Sequence, residues 1–370
     1  MGLKPVLHSA LSFAGQIFRI QWGLDLMLHS VRSVGLIFLL LFTSAAVALA
    51  QSADFDVTQV ANGVYAVIAK PGIASNGAFI VNQNDVLVVD THLRPSWARE
   101  TIAEIKKVTN KPVRYVINTH WHRDHVQGNQ AYIAAFGPGV TIIQQDFARQ
   151  DQIKNQPVEI ATRAPEEIAR LEKLLSSGKN EKGVPLTDEA RAQLQHALDL
   201  QKAYVAEIPQ IQLLPGNLTF DRSLVLHEAG RDICLYYYGY AHTRGDAIVY
   251  LPAEKIVLTG DVLESGVPIM RSAYPAEWLG VLESIGKLDW NIVIPGHGGI
   301  QRNRETLDGF SAYLKDLVAG VKQAVAKGMS ADDAVKFVDL SKYSKMPDYD
   351  DRNADAIRRT YAEVTGKISD

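Results

Sequence analysis

The sequence predicts an α/β sandwich with a helical insertion and C-terminal helices. Three observations carry this expectation. Short apolar runs of strand length dominate from Asp54 onward, the order strands, helix, strands occurs twice, and a charged, alanine-rich stretch at residues 146–210 separates the two halves.

Segments 57–60 and 64–69 flank Asn62-Gly63, a dipeptide suited to the positive φ of a two-residue turn, so they pair as a hairpin. Segments 78–81 and 86–89 are further strands, the second wholly apolar and ending at Asp90-Thr91-His92. Residues 95–108 place Trp97, Ile102, Ile105 and Val108 at helical spacing, with Pro95 and Ser96 at the start. Residues 113–117 form a buried strand that runs into Asn118-Thr119-His120. In the insertion, 165–175 and 187–207 read as helices joined by a Ser/Gly/Lys turn at 176–184. Strand patterns return at 217–220, 224–227, 233–238, 247–251, 256–259 and 291–294, and helices follow at 304–326 and 351–364. The expected organisation is a leader at 1–50, a catalytic domain at 51–300 that carries the insertion, and a helical extension at 301–370.

Composition removes several classes of function. With 47% hydrophobic and 21% charged residues the chain is an ordinary globular one, not a disordered one. A net charge of −3 lacks the basic excess of a nucleic-acid grip. A single cysteine, Cys234, excludes an internal disulfide and a Cys-rich zinc module.

The N-terminal region reads as a targeting segment. Arg32 precedes an apolar run at 34–47, and Ala48-Leu49-Ala50 supplies a small-x-small cleavage site. Met27 stands where such a signal normally begins. The run, interrupted by Thr43 and Ser44, falls short of the roughly 20 apolar residues a spanning helix needs, so a lasting membrane anchor is not expected. The leader carries Lys4, Arg19 and Arg32 against Asp25, so its removal takes the net charge from −3 to −5. The expected location is periplasmic or secreted.

The chemistry concentrates in His120-Trp121-His122-Arg123-Asp124-His125. Three imidazoles and a carboxylate within six residues, just past a buried strand, can turn toward one point on a loop held by a rigid sheet. Neutral imidazole and carboxylate suit zinc, and also iron or manganese. Four donors are too many for one tetrahedral zinc that also holds water, so two adjacent metals are the natural reading.

This H-x-H-x-D-H motif resembles that of the metallo-β-lactamase superfamily. Three further motifs resemble that family's in the same order: Ala241-His242-Thr243-Arg244-Gly245-Asp246, Leu258-Thr259-Gly260-Asp261, and Ile294-Pro295-Gly296-His297-Gly298. The resemblance covers roughly residues 55–300 and implies the family's αβ/βα sandwich. It implies that His120, His122 and His242 hold one metal, that Asp124, His125 and His297 hold a second, and that Asp261 bridges both. Two zinc ions per chain are then expected, sharing a water made nucleophilic for attack on a carbonyl, with Asp124 orienting it as well as binding metal. Asp90 corresponds to a position the family uses near the ligand loop, where it either hydrogen-bonds a ligand histidine or caps a turn.

The departures from the family narrow the chemistry. The largest zinc β-lactamase group has cysteine at the position of Asp261 and, three residues on, a lysine for the substrate carboxylate; here that residue is Glu264, which would repel one. Asp261 resembles glyoxalase II-like thioesterases and many broad hydrolases. The expected activity is an exported dinuclear zinc hydrolase acting on a small molecule with a β-lactam-like amide or an ester. A glyoxalase II-like thioesterase and a mononuclear iron persulfide dioxygenase are the alternatives. Asp246 is expected to satisfy loop amides, His196 to be solvated and Cys234 to be core packing, while His92 and His227 have no partner motif. The insertion carries an apolar stripe of Ile168, Leu171, Leu174, Leu175, Leu194, Leu198 and Tyr204, which must pack on something. It is either a lid over the cleft or a peripheral or dimer element.

Overall fold

A computed structural model describes residues 54–368. The leader at 1–50 and its cleavage site lie outside the described residues. The first half opens with β1 (Phe55–Ala61), β2 (Val64–Ala69), β3 (Gly77–Val81) and β4 (Val86–Val89), followed by α1 (Pro95–Val108) and β5 (Val113–Ile117). Next come α2 (Arg123–Val126), α3 (Asn129–Phe136), β6 (Thr141–Gln145), α4 (Asp146–Ser177), α5 (Asp188–Glu207) and β7 (Leu218–Phe220). The second half contains β8 (Ser223–Glu228), β9 (Arg231–Tyr236), β10 (Ile248–Leu251), β11 (Ile256–Gly260), α6 (Pro275–Gly286) and β12 (Ile292–Pro295). It closes with α7 (Glu305–Ala326), α8 (Ala331–Phe337) and α9 (Tyr349–Val364).

The strands form a seven-stranded sheet in the order β1-β2-β3-β4-β5-β6-β7 and a five-stranded sheet in the order β12-β11-β10-β9-β8. Period-two alternation explains how they stack. Ala78, Ile80, Leu87, Val89 and Ile117 from one sheet meet Leu235, Val249, Leu251 and Leu258 from the other in a core between the sheets. The opposite faces bury Phe79, Val88 and Val116 under Trp97, Ile102 and Ile105 of α1, and Tyr250, Val257 and Val293 under Trp278, Phe310 and Leu314 of α6 and α7. Both faces of each central strand are therefore covered, which is why these segments read as unbroken apolar runs. The layers are helix, sheet, sheet, helix.

Two pairs of parallel neighbours, β4 with β5 and β11 with β12, set the position of the functional loops. Parallel strands deliver their C-terminal ends to the same edge. The residues following β4, β5, β11 and β12 thus collect at one rim. Cross-links between backbones hold the rim together: Ala247 N–H donates to Thr119 O at 2.7 Å, and Asn76 N–H donates to Gly296 O at 2.7 Å.

The insertion differs from expectation in one respect. Its first helix begins at Asp146, not at 165, and runs for 32 residues through Pro157 and Pro165. Gln145 caps it by accepting from Phe147 N–H at 2.6 Å. The prolines do not break it because Pro157 and Pro165 lie on the exposed face. The carbonyls they release, those of Ile153 and Ala161, belong to exposed residues and can bond water. The apolar stripe is used within the fold: Leu171, Leu198 and Tyr204 are buried. Cys234 is buried in β9 and His196 is exposed, both as expected. Among the described residues no helix is long and apolar enough to cross a membrane.

His92 acts as a structural pin beneath the rim. Its Nδ1 lies 3.0 Å from Ser75 O and its Nε2 3.0 Å from Thr101 Oγ1, and its ring packs 4.3 Å from that of Phe55. Both nitrogens are satisfied when Nδ1–H donates and Nε2 accepts from the threonine hydroxyl, so the neutral ring fits. Burial lowers its pKa to about 4. Because the unfolded chain binds this proton near pH 6.5 and the folded one does not, the stabilisation is complete above about 6.5 and is lost as pH falls toward 4. The expected slope is about 1.4 kcal/mol per pH unit from this residue. Urea unfolding at pH 7 and pH 4.5 should show a smaller acid loss in His92→Gln than in the parent; equal losses would refute this role.

Candidate metal centre

The site is built on the rim from four loops. His120, His122, Asp124 and His125 follow β5; His242 lies in the connection from β9 to β10; Asp261 follows β11; His297 follows β12. His120, His125, His242 and Asp261 are buried, whereas Asp124 and His297 reach the cleft surface with about a quarter and a third of their side chains exposed. The seven sequence-predicted donors are all brought together.

They converge as two groups. His120, His122, His242 and Asp261 form one, and Asp124, His125 and His297 form another. In the first, His122 Nδ1 is 3.1 Å from His120 Nε2 and 3.0 Å from His242 Nε2. In the second, Asp124 Oδ2 is 3.2 Å from His297 Nε2 and 3.5 Å from His125 Nε2. Asp261 stands between them. Its Oδ2 lies 3.6 Å from His120 Nε2, 3.4 Å from His242 Nε2 and 3.5 Å from His297 Nε2, and its Oδ1 lies 3.2 Å from His125 Nε2. Asp261 can come this close because residue 296 is glycine: a Cβ there would sit 2.0 Å from Asp261 Oδ1.

These separations suit a divalent cation. Donors arranged tetrahedrally at the usual 2.0–2.1 Å zinc–nitrogen bond lie about 3.3 Å apart, close to the spacing of the first group. Three imidazole nitrogens facing one point cannot all donate to one another. Moreover, His125 Nε2 and Asp261 Oδ1 are buried and, although 3.2 Å apart, neither makes a well-aligned hydrogen bond to any of the described residues. Such orphaned polar atoms are costly unless something binds them.

Charge is distributed in keeping with this. Burial, reinforced by neighbouring imidazoles, holds His120 and His122 well below their usual pKa, and burial takes His242 to about 4, so these rings are neutral and free to ligate. Burial would raise Asp124 and Asp261, but the imidazoles beside them, His125 foremost, outweigh it and hold both well below the usual carboxylate range. The same attraction, from Asp261 first, overcomes burial at His125 and His297 and raises both, so a cation bound there would displace the protons these two rings hold.

Asp90 sets the orientation of two of the histidines. Its Oδ2 lies 2.8 Å from His125 Nδ1, accepts from Thr119 Oγ1–H at 2.7 Å, and its Oδ1 accepts from Thr119 N–H at 2.8 Å. With the threonine proton committed to Asp90, the Thr119 hydroxyl oxygen accepts from His120 Nδ1–H at 3.1 Å. Both Nε2 lone pairs are thereby aimed into the cluster. Of the two roles open to Asp90, the hydrogen bond to a histidine is the one found. Asp246, in contrast, satisfies its own loop, accepting from Thr243 N–H and Oγ1–H at 2.8 Å each.

Several residues of the site carry no sequence signal. Ser272 Oγ is 3.2 Å from His122 Nε2 and fixes that ring so that Nδ1 faces inward. Glu159, Arg163 and Gln201 come from the insertion and line the cleft together with Glu264, Ile269 and Arg271. Gln156 of α4 donates to Trp121 O at 2.8 Å, bracing the ligand loop from behind. The insertion is therefore a wall of the cleft. Glu264 is buried there, its pKa pushed up to about 8 by burial and the Asp261 charge.

The metallo-beta-lactamase superfamily model matches residues 71–297. The linear primary-alkylsulfatase of Pseudomonas sp. (strain ATCC 19151) is 22% identical over 281 residues, covering 69% of this chain and 48% of that protein. The metallo-beta-lactamase type 2 of Bacteroides fragilis is 21% identical over 259 residues, covering 67% of this chain and 80% of that protein. The solved structure of the stereoselective inverting sec-alkylsulfatase Pisa1 from Pseudomonas sp. superposes with a TM-score of 0.61 at 14% identity, over 85% of this chain and 51% of that chain. The chain thus spans about half the length of the alkylsulfatases it matches. The likeness to Pisa1 is one of fold.

Replacing Asp90 by Asn keeps the size but removes the charge that holds His125 and Thr119. Metal affinity should fall roughly 10- to 100-fold. Competition against a chromophoric chelator checks this without reference to activity; unchanged affinity would remove Asp90 from the metal-orienting role.

Proposed function

The chain belongs to the metallo-β-lactamase superfamily; on that premise we propose that it is a metal-dependent hydrolase, an exported dinuclear zinc enzyme acting on a small molecule with an amide or ester bond. The observation that carries the proposal is the pair of donor groups sharing Asp261. His120, His122, His242 and Asp261 would hold one cation, and Asp124, His125, His297 and Asp261 the other. Divalent cations held there would polarise the bond under attack and bring the pKa of water toward neutrality.

The chain's own groups supply the rest. Asp124 faces the cleft as an ionised carboxylate, so its free acceptor positions can orient an attacking water. Asp90, Thr119 and Ser272 keep the imidazoles in the ligating tautomer. The α4–α5 segment supplies Glu159, Arg163 and Gln201 to one wall of the cleft. A second reading, hydrolysis of a sulfate ester, is favoured by the alkylsulfatase match, which covers 69% of the chain.

Elemental analysis of purified protein should find about two zinc ions per chain. His122→Ala and His297→Ala should each lose mainly one of them, and activity on the accepted substrate should fall by about two orders of magnitude or more. A panel of lactam, carboxylic ester, thioester, persulfide and alkyl sulfate substrates separates the readings. One iron per active chain would overturn the dinuclear zinc proposal in favour of persulfide oxidation.

Export rests on the basic, apolar and small-residue pattern of 32–50. N-terminal sequencing of periplasmic or secreted material should begin near Gln51. Cytosolic protein retaining residues 27–50 would refute export.

A further inference from the structure

The cleft that ends on the histidine cluster has a volume of about 440 Å³, and a second cavity of about 440 Å³ lies against it. Glu159 and Arg271 belong to the walls of both. The residue after Arg271 is Ser272, whose hydroxyl meets His122, so this shared wall stands immediately beside the reacting centre.

Most basic side chains around the two cavities are already committed. Arg163 and Arg123 converge on Glu159 at 2.9 and 3.7 Å. Arg352 is 3.2 Å from Asp348 and donates to Val267 O, and Arg359 donates to Ala273 O. Arg244 holds Asp151 through Nε and Nη2 at 2.8–3.1 Å. Two remain. Arg271 and Lys154 are exposed, line the second cavity, and have no ion-pair or hydrogen-bond partner among the described residues. The second cavity is also lined by Val158, 62% exposed, which offers apolar surface, and by the largely buried Trp121.

We propose that Arg271 and Lys154 form a grip for a carboxylate that the substrate carries at a distance from the bond being cleaved, with the connecting stem lying along Val158. A guanidinium with a free fork binds a planar carboxylate through two parallel N–H···O bonds, and the ammonium adds an unoriented charge. Arg271 comes from the loop before α6 and belongs to the wall of the metal-facing cleft, whereas Lys154 comes from α4 and lines the second cavity alone. This inference rests on the hydrolase reading and names the substrate class for the same site.

The test compares para-nitrophenyl hemiglutarate with para-nitrophenyl butyrate on the zinc-loaded enzyme and on Arg271→Ala, Arg271→Lys and Lys154→Ala. The parent should favour the carboxylated ester in kcat/KM by about tenfold or more, as expected for a charge-assisted pair. In Arg271→Ala that ratio should fall toward one through KM of the carboxylated ester, with part of it kept in Arg271→Lys and a smaller loss in Lys154→Ala. A ratio near one in the parent, or one that Arg271→Ala leaves intact, overturns the grip. If the parent cleaves neither ester, the ester reading fails, and calorimetric titration of the zinc-loaded proteins with glutarate decides the grip by itself. Binding that weakens in Arg271→Ala upholds it, and equal binding or none in the parent overturns it.

Discussion

Five imidazoles and two carboxylates share a small, largely buried volume, and the rest of the molecule is organised around that constraint. Bringing so many donors within about 3–3.6 Å of one another is repulsive and strips them of water, unless a cation binds them. Only a rigid frame holds such an arrangement. The frame is the rim where β4, β5, β11 and β12 end together, clamped by backbone bonds between the two sheets.

Rigidity at the rim extends outward through residues that touch no donor directly or touch only one. Asp90, with a φ of 59°, sits in the left-handed region after β4, a cost borne where its carboxylate meets His125 and Thr119. Asn76 of the loop before β3 donates to Pro295 O and Gly298 O at 2.9 and 2.8 Å, fixing the segment that carries His297. On the other side α4 is fastened to two ligand loops, through Gln156 to Trp121 and through Asp151 to Arg244. A Cβ on Gly245 would lie 2.3 Å from Ala148 N, so α4 packs directly on the loop of His242.

That attachment gives the insertion a functional meaning. One of its residues, Glu159, is shared by the metal-facing cleft and the cavity beside it. Glu159 pairs with two arginines there, which leaves Arg271 and Lys154 as the basic side chains without a partner among the described residues. The turn between α4 and α5 reaches the start of α9, where Lys182 lies 3.6 Å from Asp351. Chemistry and recognition therefore fall to different layers: the sheets place the donors, and the helices around them shape what reaches the donors.

How much of this was legible in the sequence follows from the range of the forces involved. The strands at 64–69, 86–89 and 113–117 and the helix at 95–108 were readable because burial on both faces, or on one helical face, imprints a local period. The seven donors were readable because each motif directly follows or precedes such a strand. The short strand β6, with its polar end at Gln144 and Gln145, left no such imprint. Nor did the start of α4, whose two prolines argue locally against a helix and are tolerated only because their face meets water. Glu264 was visible as a charge, but its burial was not. Arg271, Ser272 and Gln156 act on residues 150, 35 or more positions away, or on space enclosed by other elements, and no periodicity records such a meeting. The sequence by itself determined which residues could bind a metal and which segments could form sheets. The tertiary structure decided which way each imidazole faces, which arginines are left unpaired, and what the insertion covers, because those outcomes depend on distances between segments that only the packed fold brings together.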